Sequence, residues 1–344
     1  MNYHTAFDVS LRSVSICIVD DDGAIQFEAK VPAEVEEIVA CLKRFSPEIN
    51  SVGFEAGALT QYLTYGLQAA GYEVICLEAR QVNAALSAMR NKTDKIDARG
   101  IAQILRTGWY SRVHVKSMES HLIRALLSSR KTTLQKCVDL ENEIRGLIRL
   151  LGIRLPGTLY HGIYDATVRQ AIEADGSMVD TLIPLLDARL VLYQTFLKLD
   201  NQVKSLVRED PICQRLMTVP GVGAITALTF KAAVDDPMRF KRSRTVAAHF
   251  GLTPRRFQSG ELDNPGRISK AGDPDVRCAL YMAAQSLMVR SEQWCSLKVW
   301  GIQLMKTKGH RCATVAVARK LAVILHQMWI NGTDFRYGST EVTT

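Results

Sequence analysis

No C-x-x-C pair occurs in the 344 residues, although eight cysteines are present. Cys17, Cys41, Cys76, Cys137, Cys213, Cys278, Cys295 and Cys312 are scattered along the chain. That scatter argues against a structural zinc site and against a disulfide framework, and it reads as free buried thiols in a reducing compartment. The seven histidines also lack ligand-like spacing, so any metal is expected to be held by oxygen. No run of eighteen apolar residues appears, and "MNYHTAFDVS" has neither the basic nor the apolar region of a signal peptide. A soluble, cytoplasmic protein with no membrane partner is expected. Low-complexity tracts and internal repeats are missing as well.

What is present is ample core-forming material: 47% of residues are hydrophobic, enough for two or three domains. The net charge of +8 is unevenly spread. Residues 211 to 344 hold 19 Lys and Arg against 9 Asp and Glu, whereas residues 1 to 210 hold 24 against 26. All the excess positive charge therefore lies in the last third, which points to a polyanionic partner, most plausibly nucleic acid.

Three regions follow from the patterning. Residues 1–115 alternate strands with helices. "YHTAFDVS", "SVSICIVDDDG" and "AIQFEAKV" read as an antiparallel meander turning at Asp22-Gly23. "PAEVEEIVACLKRF" reads as a helix with Pro32 near its start, followed by strand "NSVGFEAG", helix "LTQYLTYGLQAAG" and strand "YEVICLEA". This order is that of a ribonuclease H-like α/β domain with a mixed sheet. Residues 116–208 are almost purely helical. Leu182, Leu185, Leu192, Phe196, Leu199, Val203 and Leu206 form a heptad-like seam, and a looser one runs from Ile123 to Leu151. Two long helices interrupted at "LPGTLYHGIYDATV" are expected to form an antiparallel hairpin or a dimerising coiled coil. Residues 209–344 are expected to be mostly helical. "LMTVPGVGAITALTF" resembles a helix-hairpin-helix element, which exposes backbone N–H groups to phosphate, although a hairpin between core helices reads the same way. Lys241, Arg242, Arg244, Arg255, Arg256, Arg267 and Lys270 then crowd a Gly- and Pro-rich loop, a composition suited to phosphate contacts.

Acidic residues carry the chemistry. In "MRNKTDKIDARGIAQIL", Asp94 and Asp97 lie one turn apart if the helix starts near Thr93. Asp8 stands between apolar residues on the probable central strand, where a lone buried carboxylate costs several kcal/mol unless it is paired or binds a cation. Glu55 falls at the carboxyl end of another strand, where open sheets place their sites. Four acids suffice for two divalent ions roughly 4 Å apart, the arrangement used in phosphodiester chemistry. Magnesium suits such an all-oxygen site.

These residues carry a resemblance. The order Asp8, Glu55 and "NKTDKIDARG", with "VPGVGAITA", "FGLTPRRFQSG" and "RISKAGDPDVRCALY" downstream, is similar to the DEDD transposases of the one-ten family of bacterial insertion sequences. It spans nearly the whole chain. Ala6-Phe7 ahead of Asp8, Arg12 four residues on and "EAGALTQYL" around Glu55 depart from the commoner pattern and suggest a subgroup. The resemblance implies a RuvC-like N-terminal domain and metal-binding acids at Asp8, Glu55, Asp94 and Asp97. It places a nucleophilic serine at Ser259, which would form a 5′-phosphoserine link; Ser269 is excluded as the nucleophile and reads as a phosphate contact or helix cap. It further implies magnesium as two ions per site, donor and target DNA, a structured guide RNA (a bridge RNA) from the element, and homodimers pairing into homotetramers. On the residues alone Ser259 is an ordinary loop serine, raised only by Arg255 and Arg256, which could clamp a phosphate. Lys92 joins the basic residues expected at nucleic acid. Two other readings stand beside this one: a metal-only endonuclease of the Holliday-junction-resolvase kind, and a non-catalytic nucleic-acid-binding protein.

Overall fold

The computed structural model describes residues 2–45, 48–87, 93–259 and 262–338. The chain divides into two compact units, Met1–Lys116 and Ser117–Thr344.

In the first unit, β1 (Tyr3–Val9), β2 (Ser13–Val19) and β3 (Ile25–Pro32) form the antiparallel meander. The turn after β2 is fixed by the Asp20 carboxylate, which accepts from the amides of Asp22 (3.0 Å) and Ala24 (2.9 Å), and by Gly23 at φ 85°. Helix α1 (Val35–Leu42) leads to β4 (Ile49–Glu55), and α2 (Thr60–Ala69) leads to β5 (Val74–Leu77). Pro32 closes β3 rather than opening α1, since its fixed φ and missing N–H suit a strand end. β4 pairs in parallel with β1 and β5 with β4, so the order is β3-β2-β1-β4-β5, that of the ribonuclease H-like fold. Helices α3 (Ala79–Leu86) and α4 (Asp94–Thr107) complete the unit.

The strand pleat sends alternate side chains to opposite faces. Phe7 and Phe54 stack at 6.2 Å on the face that also buries Ile38 and Leu42 of α1 and Leu63 and Leu67 of α2. Ala6, Cys17 and Val19 point the other way, against Ala98, Ile101, Ala102 and Leu105 of α4. At Gly53 a Cβ would lie 2.9 Å from the Leu105 side chain, so glycine is what lets α4 approach β4. Polar clamps fix the helix over the meander. Arg99 donates two bonds to Glu28, at 2.5 and 2.9 Å, while Gln103 and Arg106 donate to the carbonyls of Gly23 and Asp21.

The second unit opens with α5 (Met118–Ile148), α6 (His161–Asp175) and α7 (Val179–Glu209). Arg130 pairs with Asp200 and Arg189 with Glu141, so α5 and α7 run antiparallel. The interruption read between the long helices holds a helix of its own: Tyr164, Val168 and Ile172 recur every four residues and are fully buried. The α7 seam splits. Leu182, Leu186, Val203 and Val207 are buried, whereas Leu192, Phe196 and Leu199 are half-buried and Leu206 is 42% exposed. Arg189 has no solvent exposure and is held by Glu141, Asp165 and the His161 carbonyl, with its guanidinium 4.8 Å from the Tyr164 and Tyr193 ring centres.

Ile123 of α5 and Val203 of α7 belong to the same buried cluster as the helices that follow. These are α8 (Pro211–Leu216), α9 (Ala224–Val234), α10 (Ser243–His249), α11 (Pro274–Gln285), α12 (Ser296–Lys308) and α13 (His310–Asn331). Gly221, in the turn between α8 and α9, has φ 86°, and a Cβ there would lie 2.6 Å from the Ala283 carbonyl and the Leu287 amide. The tight helical hairpin thus packs its first glycine inward against backbone, and Gly223 remains exposed at the start of α9. The Gly- and Pro-rich stretch expected as a loop is instead an antiparallel hairpin of β6 (Pro254–Ser259) and β7 (Leu262–Ile268). Both strands are edges, which is why Pro265 can face Arg256 without breaking a ladder on its far side. Among the described residues one helix, α13, is long and apolar enough to cross a membrane. Half of its apolar window is buried, with Val317, Ala318, Leu321 and Leu325 in the core.

Two outcomes are expected from this packing. Arg189→Ala strands two carboxylates beside a buried helix seam and should cost about 3–5 kcal/mol in urea unfolding. Arg189→Met combined with E141Q and D165N, which removes the charges together, should recover much of that loss. Arg99, then Lys95, holds the Glu28 carboxyl down at about 2 from an ordinary 4.5. Its stabilisation is complete above pH 4.5 and disappears as pH falls toward 2. Acid titration of stability should therefore be flatter across that window in Glu28→Gln than in the parent chain.

Candidate metal-dependent active site

Asp8 and Glu55 stand one residue beyond the paired Phe7 and Phe54 on the adjacent parallel strands β1 and β4. Because Phe7 and Phe54 face α1 and α2, the pleat turns Asp8 and Glu55 to the α4 side. There Asp97 arrives from the first turn of α4, whose start is set by Thr93: its Oγ1 accepts from the Ile96 amide at 3.3 Å. The three carboxylates, with Val9, Ala56, Gly57, Ile101, the α3 residues Asn83 and Leu86, and Ser87 just after that helix, line one cleft of about 290 Å³. All three acids are half-buried. The donors are oxygens, with room left over, which fits a hard divalent cation that keeps water or phosphate in its shell.

Asp94 is elsewhere. One turn before Asp97, it lies in a separate groove with Ser15, Glu28, Lys30 and Lys95, and accepts from Lys30 Nζ at 2.8 Å. That bond holds its carboxyl below the usual range. Both partners are more than half exposed, so the pair is of the weak surface kind and can open. Of the four expected acids, the fold brings three to one cleft and leaves the fourth on a lysine of the edge strand. Asn83 and Ser87 were not foreseen. Their signal was their place one turn into the helix following β5 and at its C-terminal cap, visible only once that helix is known to border the cleft.

A second group of ligand atoms, Cys137, Glu141 and His161, lies within 4.8 Å of one another. Glu141 Oε1 already accepts from Arg189 Nε at 2.9 Å and contacts His161 Nδ1 at 2.7 Å. An arginine on the same oxygen repels a cation, and burial pushes the Cys137 thiol up to about 11, away from the thiolate a metal needs.

In the second unit, Ser259 ends β6, opposite Leu262. Arg255, Arg256 and Arg267 are exposed on the hairpin, and Arg255 donates to the Ser269 carbonyl at 3.2 Å. Ser269 Oγ accepts from the Ala271 amide, a local turn contact. Lys241, Arg242, Arg244 and Lys270 are exposed too. Among the described residues they form no ion pair. Lys92 lies outside the described residues.

A family profile described as "Transposase IS116/IS110/IS902 family" matches residues 213–299, and one described as "Transposase", of the DEDD type of IS110, matches residues 6–152. The DEDD match suggests a divalent metal. The transposase for insertion sequence element IS1111A of Coxiella burnetii is 28% identical over 96% of this chain and 91% of its own length. The probable family 20 transposase of Pseudomonas aeruginosa is 27% identical over 83% of this chain and 86% of its own. The transposase for insertion sequence element IS1328 of Yersinia enterocolitica is 26% identical over 83% and 85%. With both profiles of one family falling in the order that the acidic cleft and the basic C-terminal unit require, the chain belongs to the IS110 family of insertion-sequence transposases, enzymes that cleave and transfer DNA.

Proposed function

We propose that this transposase breaks and rejoins DNA by attack of the Ser259 hydroxyl on a phosphodiester, with magnesium held at Asp8, Glu55 and Asp97, two ions per site. The observation that carries the reading is the meeting of three carboxylates in one cleft at the carboxyl ends of β1 and β4. When bound, magnesium offsets charge on the scissile phosphate and polarises its oxygens. Asp94 completes the set by leaving Lys30, an exchange that a weak surface pair permits. Arg255 and Arg256 orient the phosphate toward Ser259. The Ser259 oxygen bonds to phosphorus, the bond to the 3′ oxygen breaks, and that oxygen leaves carrying a proton. The 5′-phosphoserine conserves the energy of the broken bond, so rejoining needs no ATP. A structured guide RNA from the element selects donor and target DNA, and the basic excess of residues 211 to 344 suits both polyanions. The half-buried Leu192, Phe196 and Leu199, with Val191 62% and Leu197 40% exposed, leave an apolar face on α7 suited to homodimers that pair as tetramers.

Asp97→Asn should lower strand cleavage by about 100-fold or more while nucleic-acid binding persists. Asp94→Asn should lose less than Asp97→Asn in the same assay. The serine step is tested by trapping the reaction on a nicked substrate, digesting it and sequencing nucleotide-bearing peptides. A Ser259 peptide is expected, absent from Ser259→Ala. Full strand exchange by Ser259→Ala, or products with no adduct, would instead indicate attack by water, the endonuclease alternative.

A further inference from the structure

The β6–β7 hairpin is a two-stranded sheet whose strands pack chiefly on each other. Such a hairpin has little stability alone, so the direction in which it points is set where it joins the helices. Those joints are tightly built. The Ser269 amide donates to the Thr253 carbonyl at 2.8 Å, and the Lys270 amide to the Gly251 carbonyl at 3.1 Å. Gly251 and Gly272 have φ of 67° and 65°, and a Cβ on either would collide with backbone of the opposite joint, at Ala271 and His249 respectively. Lys270 itself sits at φ 54°, a left-handed conformation that a lysine keeps only when its surroundings hold it there. One side chain reaches both joints. Arg277 Nη1, from the first turn of α11, lies within donating distance of the carbonyls of Phe250 (3.3 Å), Ala271 (2.5 Å) and Gly272 (3.1 Å). Its helix is anchored in turn. Val276, Leu280 and Ala284 are fully buried, and Asp273 caps the helix start by accepting from the amides of Asp275 and Val276 while paired with Arg124 of α5.

We propose that Arg277 is a positioning residue for the serine step: it ties both joints of the β6–β7 hairpin to α11 and so fixes the direction in which β6 delivers Ser259. The lever is long. β6 has six residues and ends at Ser259. A strand of that length spans about 20 Å, so a rotation of about 3° at the joint shifts its far end by about 1 Å. A misplacement of about 1 Å at a reacting group can slow a reaction about 100-fold. Arg255 and Arg256 sit on the hairpin and can touch a phosphate, whereas Arg277 acts on carbonyls at its base. The inference rests on the reading of Ser259 as the nucleophile.

The test compares the full chain with its R277Q and R277K variants on the nicked DNA substrate. The rate of Ser259 adduct formation at saturating DNA is measured beside the DNA affinity. Circular dichroism reports the folded fraction, and hydrogen exchange reports the joint amides. R277Q should form the adduct about 100-fold more slowly while binding DNA within about 3-fold of the parent. The Ser269 and Lys270 amides should exchange faster in R277Q, with α9 and α13 protected as in the parent. A purely structural role would lower affinity and folded fraction along with the rate. If R277Q does not fold, R277K decides: its amine is one bond shorter, so the adduct rate should fall about 10-fold at unchanged affinity. A parental adduct rate in the folded variant, or equal losses of rate and affinity, overturns the clamp and leaves the serine reading intact. A parent chain that cuts DNA with no Ser259 adduct overturns the serine reading instead, and Arg277 then has no nucleophile to position.

Discussion

The convergence of Asp8, Glu55 and Asp97 on one cleft is the constraint around which the first unit is arranged. The three carboxylates come from two strands and a helix, so the surrounding packing has to fix all three elements in place. The means are plain. Adjacent parallel strands bring two acids side by side, the pleat turns them to one face, and a missing side chain at Gly53 lets α4 carry the third down onto that face. Arg99 on Glu28 and Arg106 on the Asp21 carbonyl then lock the helix against rotation away from the cleft. A hard divalent cation held there would draw on oxygens that the fold has already brought together.

The second unit solves the opposite problem, surplus positive charge. It buries one arginine completely, at Arg189, and neutralises it with Glu141 and Asp165. Some other cations are paired at the surface, as Lys131 is with Asp275 and Lys204 with Asp200. A long apolar helix carrying Arg311 and Arg319 on its exposed side is what results when one face must fill a core and the other must face solvent.

Much of this could be read from residue order. Strand alternation located Asp8 and Glu55, and the threonine before the acidic pair located the start of α4, because these are local signals. Asp94 and Asp97 could not be told apart, since their difference is set by Lys30, 64 residues away on an edge strand. Helix α6 was hidden by Pro156 and Gly157, whose turn chemistry masked the four-residue spacing of Tyr164, Val168 and Ile172. The β6–β7 hairpin was hidden by glycine and proline, which edge strands tolerate and central strands do not. The Arg189 cluster had no local signal at all, because its members come from three helices.

The central claim is that the cleft of Asp8, Glu55 and Asp97 binds the divalent cation. Manganese soaked into crystals of the full chain and located by its anomalous scattering tests it directly. The account predicts density for manganese, two ions at full occupancy, coordinated by those three carboxylates. A peak at Cys137, Glu141 and His161 instead, or none at the cleft under conditions where the protein cleaves DNA, would contradict it.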